Sequence, residues 1–69
     1  MEYSIFVELN VPVNSLELYD KLEPFDINVT DVISTVLVYG RVTDLTMIDV
    51  LKILDDYSYT RISLERIKP

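Results

Sequence analysis

The chain has 69 residues, 49% of them hydrophobic and 26% charged, with one glycine, three prolines, and neither cysteine nor histidine. Twelve acidic against six basic side chains leave a net charge of −6. This is the profile of one small globular domain spanning 1–69, and it excludes a disulfide framework, a thiolate zinc site, thiol catalysis and any histidine-based triad.

The charge is unevenly placed. Residues 1–31 hold seven acids against Lys21 alone, whereas residues 32–69 hold five acids and five bases. Phosphate neutralisation needs clustered cations, so nucleic acid is not an expected partner, and an anionic membrane surface repels the amino-terminal half. A basic protein partner is attracted by the same field, and net acidity also favours solubility. Met1-Glu2 opens on an acid and the following apolar residues alternate with polar ones, unlike a signal peptide. The longest apolar run is Val36-Leu37-Val38-Tyr39, far below the ~20 residues of a membrane span. A cytoplasmic location is the expectation, so the glycosylation-like triplet Asn28-Val29-Thr30 carries no weight.

The first strand is predicted from Glu2 to about Val11. Tyr3, Ile5, Val7 and Leu9 alternate with a polar set that only Phe6 breaks, and Pro12 ends the ladder. Asn14 has the character of a helix N-cap with Glu17 as its capping-box partner, and Leu16, Leu18, Tyr19 and Leu22 supply an apolar stripe. Pro24 stops that helix near Glu23. Residues 25–30 alternate again and predict a short edge strand, or none in a three-stranded rival. A turn at Asp31 then leads into a long strand, Val32 to Val42, apolar on both parities as an interior strand is. Gly40 within it marks a bulge or bend. Thr43 or Asp44 caps a second helix through Leu54 and Tyr57, and a last strand runs from about Tyr59 to Ile67 with Ile62 and Leu64 inward.

The order β-α-β-β-α-β predicts an α+β fold, a ferredoxin-like two-layer sandwich with a four-stranded antiparallel sheet and two helices on one face. Strands one and three are then central. One sheet face lacks a helical cover, yet Phe6, Leu37 and Tyr39 are expected there, each worth roughly 1.5–3 kcal/mol when buried. Three outcomes fit that surplus. The face pairs with a second copy as a homodimer, it recognises another protein or ligand, or Arg41, Arg61 and Arg66 drape over it.

Two segments are similar to known families. Ile5-Phe6-Val7-Glu8-Leu9-Asn10 resembles the first-strand motif of RNA-recognition domains, which implies an outward aromatic at Phe6 that stacks on a base. Glu8 departs from that motif, and Val36-Leu37-Val38-Tyr39-Gly40-Arg41 does not fit the companion motif on the third strand. Asn10-Val11-Pro12-Val13-Asn14 resembles the loop before the first helix in ACT regulatory domains, which share this element order and approach an amino-acid ligand there. Asn10 stands where those domains have an acid and Val13 where they have glycine. That resemblance implies a ligand loop at Asn10, Pro12 and Asn14, and with it a small-molecule sensing function as the alternative; the same residues also serve as strand end and helix cap.

Catalytic chemistry finds little support. Asp55-Asp56 ends the second helix, where the dipole disfavours negative charge, but no glycine-bearing oxygen-ligand loop for a hard cation surrounds it. Tyr57 and Tyr59 flank the next turn, as a core closure and an edge cover or as an amphipathic spot. One glycine cannot build a phosphate loop. The expectation is therefore a small non-enzyme with no metal or cofactor, working by binding through its sheet face as a homodimer, with amino-acid sensing or docking to a basic protein as alternatives.

Overall fold

The computed structural model describes residues 1–10 and 12–67. In chain order these form β1 (Glu2–Asn10), α1 (Ser15–Leu22), a 3-10 turn (Glu23–Phe25), β2 (Asn28–Val32), β3 (Thr35–Thr43), α2 (Asp44–Leu54) and β4 (Tyr59–Ile67). The strands make one antiparallel sheet in the order β2-β3-β1-β4, an α+β arrangement compatible with the ferredoxin-like one.

Parity decides the core. Ile5, Val7 and Leu9 of β1 face Gly40, Val38 and Val36 of β3 across an unbroken register. With Val42 and Ile27 they join Leu18 and Leu22 of α1 and Val50 and Leu54 of α2 in a single buried cluster. Both helices therefore lie against the same side of the sheet. The opposite side, here the open face, receives no helix residue. Neither helix is long and apolar enough to cross a membrane.

The helix starts follow from local chemistry. Asn14 accepts the Glu17 N–H at 3.1 Å through its side chain. The Glu17 carboxylate does not complete the reciprocal half of the box; it turns along α1 to Lys21, 3.3 Å away. At α2 the box is complete, but its members are Thr43 and Thr46. The Ser15 hydroxyl donates to Asp31 at 2.8 Å and ties the start of α1 to β2.

Two strand boundaries differ from expectation. The segment 25–30 is not one strand, because Pro24 continues α1 into the 3-10 turn and Asp26 closes that turn in the left-handed region at φ 59. Phe25 and Ile27 reach the core from a loop, and β2 begins only at Asn28. The chain also does not reverse at Asp31. Asp31 and Val32 pair with Val36 and Thr35, and the reversal falls on Ile33-Ser34, with Ser34 at φ 72. Positive φ at the second central residue is what a type II turn requires. Val32 thus belongs to β2 rather than to the long strand. Val11, expected at the end of the first strand, lies outside the described residues.

Gly40 makes no bulge. Register runs through it, and the one irregularity lies in the β1–β4 ladder between Glu8 and Leu9, where β4 carries the additional Thr60. Gly40 instead makes room for the loop that precedes β2: a Cβ there would stand 2.9 Å from Ile27 Cδ1 and 3.3 Å from Ile27 Cα. Ile27 is 2% exposed and has nowhere to retreat. Gly40→Ala is expected to lower unfolding free energy by about 1–2 kcal/mol, the scale of mild overpacking. In denaturant titrations Ile27→Val should relieve part of that loss, so that the two substitutions combine less than additively; strict additivity would show that the contact is not the cause.

Candidate functional site

On the open face Phe6 and Tyr39 are direct cross-strand partners, and Leu37 is opposite Glu8. Because Val36 and Val38 turn to the helices, the alternate residues of β3 must turn outward. Phe6 and Leu37 are partly buried by their neighbours, whereas Tyr39 keeps 41% of its surface exposed. The Tyr39 hydroxyl lies 3.3 Å from Thr30 Oγ1, which holds the ring toward β2. The structure thus brings the three apolar residues singled out on this face into one patch.

Charges frame that patch in rows set by register. Glu8 has Leu37 on one side and Arg61 on the other, Phe6 stands between Tyr39 and Ser63, and Ser4 stands between Arg41 and Glu65. Arg41 reaches toward Glu2, 4.0 Å away, an exposed pair worth at most about 1 kcal/mol. Of the three arginines considered as a cover, Arg66 is opposite Tyr3 and therefore lies on the helix side. Arg41 and Arg61 remain exposed at the patch margin.

The loop residues divide. The Asn10 N–H donates to the Ser58 carbonyl at 3.1 Å, drawing the end of β1 against the turn that precedes β4. Asn10, Pro12 and Val13 there face Asp56, Tyr57 and Ser58 across an open depression of about 380 Å³. Asn14 is not among the lining residues, and its side-chain oxygen is committed to capping α1. Asp55 and Asp56 are both exposed, and among the described residues no three metal-ligating side chains converge. Tyr57 packs partly against the core, and Tyr59 stays exposed opposite Leu9.

One cluster was not anticipated from sequence. Lys21 Nζ donates to the Tyr57 hydroxyl at 3.4 Å and lies 5.5 Å from the centre of its ring, while also pairing with Glu17. The four-residue spacing of Glu17 and Lys21 was a visible signal. The contact with Tyr57, 36 positions away, was not. At the other end of the sheet the Met1 ammonium pairs with Asp44 at 3.3 Å. The chain matches no protein-family model and no curated protein.

Both clusters give a stability dependence on alkaline pH. The Tyr57 hydroxyl, and after it the Glu17 carboxylate, hold the Lys21 pKa above its ordinary value. The neighbouring Asp44 carboxylate raises that of Tyr3. For each group the folded chain keeps its proton more firmly than the unfolded chain does. The contribution is complete below the unfolded values near pH 10 and disappears as pH rises through the higher folded ones. Unfolding free energy should therefore decline above about pH 10, and less steeply in Lys21→Met and Tyr3→Phe. An unchanged slope in both variants, read from denaturant melts across that range, would remove these groups as the source.

Proposed function

We propose that this chain is a small non-catalytic binding and assembly protein that works through the open face of a ferredoxin-like sandwich, in the cytoplasm, with a second copy of itself as partner. The observation that carries the reading is the Phe6–Tyr39 pair with Leu37 beside it, an aromatic centre on the side of the sheet that no helix covers. Interfaces are built this way, with aromatic residues in the middle and charged residues at the rim. The rim here has both signs, Arg41 and Arg61 with Glu2, Glu8 and Glu65, which suits a self-complementary contact because each copy supplies the cation of one ion pair and the anion of its symmetry mate. Glu2 and Glu8 beside Phe6 disfavour a stacked nucleic-acid base and its phosphate. The cysteine-free composition fits a reducing compartment.

Phe6→Glu and Tyr39→Glu are expected to lower the assembly mass seen in sedimentation, while Phe6→Leu leaves it unchanged. Unaltered sedimentation of both charge variants would refute pairing through this face.

A second reading rests on the depression between Asn10, Pro12, Val13 and the turn at Asp56, Tyr57 and Ser58. A ligand carrying both an amine and a carboxylate could place its ammonium near Asp56 and its polar backbone groups near Asn10. Sensing of this kind predicts thermal stabilisation of the protein by an amino acid, abolished by Asn10→Ala. A melting temperature indifferent to all the standard amino acids would eliminate it.

A further inference from the structure

β4 forms one border of the sheet. It is nine residues long, bonded to β1 along one side and, among the described residues, to no strand along the other. β2, at the opposite border, has five residues. A long open border presents a row of unpaired N–H and C=O groups and is a template for another strand. Its orientation can be read from β1. The Asn10 N–H donates to Ser58, and the Glu8 carbonyl accepts from Thr60 Oγ1, so the even residues of β1 aim their backbone at β4. Their partners Arg61, Ser63 and Glu65 are turned inward, which leaves Ile62, Leu64 and Arg66 offering their backbone groups outward.

The side chains along this border are as notable as its backbone. Ile62 and Leu64 lie opposite Val7 and Ile5, on the helix side of the sheet, yet keep 41% and 42% of their surfaces exposed because neither helix extends over them. Around them the run Arg61-Ile62-Ser63-Leu64-Glu65 has the same chemistry in either direction from Ser63: first an apolar residue, then a charge, with the two charges opposite in sign.

We infer that β4 pairs antiparallel with β4 of a second copy about a two-fold axis at Ser63. In that register Ile62 meets Leu64 twice on the helix side, and Arg61 meets Glu65 twice on the open face. Thr60 then falls opposite Arg66. Neighbouring registers lose both matches. An axis at Ile62 sets Leu64 against Thr60 and Arg61 against Ser63, and an axis at Leu64 sets Ile62 against Arg66 and Ser63 against Glu65. Charge also selects this border: Arg61 and Arg66 outnumber Glu65 on β4, in a chain whose net −6 resides in residues 1–31. Copies meeting here repel less than they would through the acidic amino-terminal half. The product is a continuous eight-stranded sheet with the helices of both copies on one side. This contact runs along the β4 border, away from the Phe6–Tyr39 centre, and shares only Arg61 and Glu65 with the rim of the open face.

The register places the two Ser63 residues as a non-hydrogen-bonded pair, with Cα atoms about 4.5 Å apart, inside disulfide reach. The chain has no native cysteine, so any disulfide formed by Ser63→Cys in the whole protein runs through position 63. Under mild oxidation it should convert to a covalent dimer, and Thr60→Cys should not. Arg61→Glu and Glu65→Arg should each weaken self-association through β4 by roughly tenfold or more, because like charges then stand opposite, and an equimolar mixture of the two should restore it as a heterodimer. Ser63→Cys that retains the native circular dichroism spectrum but cross-links no better than Thr60→Cys would overturn the assignment. So would a cross-link that vanishes when Phe6→Glu is added, since the contact would then belong to the open face. A cross-link that survives Phe6→Glu supports β4 pairing whether or not the open face also binds.

Discussion

Side chains of β1 alternate strictly, and β1 is bonded to β3 on one side and to β4 on the other, so its parity is imposed on both neighbours. Ile5, Val7 and Leu9 choose the helix side. Once they do, Val36 and Val38 must follow, and Leu37, Tyr39 and Phe6 must emerge on the reverse. A one-residue slip of β4 would turn Arg61, Ser63 and Glu65 toward the helices, and a slip of β3 would exchange Val36, Val38 and Val42 for Leu37, Tyr39 and Arg41. The register that stabilises the fold is therefore the same constraint that composes its exposed surfaces.

Those surfaces exist because the two layers are unequal. An eight-residue α1 and an eleven-residue α2 are about 12 and 17 Å long, while each nine-residue strand is about 30 Å. The helices can shelter the middle of one side, where the core residues are almost completely buried. They cannot extend to the β4 border, where Ile62 and Leu64 remain half in water, and they contribute nothing to the reverse. A fold with this imbalance leaves apolar area exposed both at the β4 border and on the open face.

Much of this was legible from residue pattern. The limits of β4, the start of α2, the order of elements and the separation of Leu37 and Tyr39 from Val36 and Val38 all follow from periodicity and caps, whereas α2 ends at Leu54, short of the Asp55-Asp56 and Tyr57 that the sequence reading includes in it. The border between β2 and β3 was hidden because Ile33-Ser34 contains no glycine, proline, asparagine or aspartate, and the β-branched pattern runs across it from Val29 to Val38. A serine in the left-handed region makes that turn. Gly40 was noticed, but its reason lies in Ile27, which a linear reading had assigned to a strand. At the candidate sites, parity grouped Phe6 with Tyr39, whereas their direct opposition needed the register. The depression beside Asn10 needed two loops that are distant along the chain. Exposure of Ile62 and Leu64 could not be foreseen from a strand pattern that places them inward, because helix coverage is a tertiary property.

The position of β1 also governs the timing of folding. Its partner β4 is distant along the chain, with Ile5 opposite Leu64, so half of the central ladder cannot close until β4 is available. The β2–β3 hairpin is local and can form early, but β1 waits beside it with one flank unpaired. Such non-local closure slows folding, and during synthesis it leaves an apolar strand uncovered until β4 has emerged.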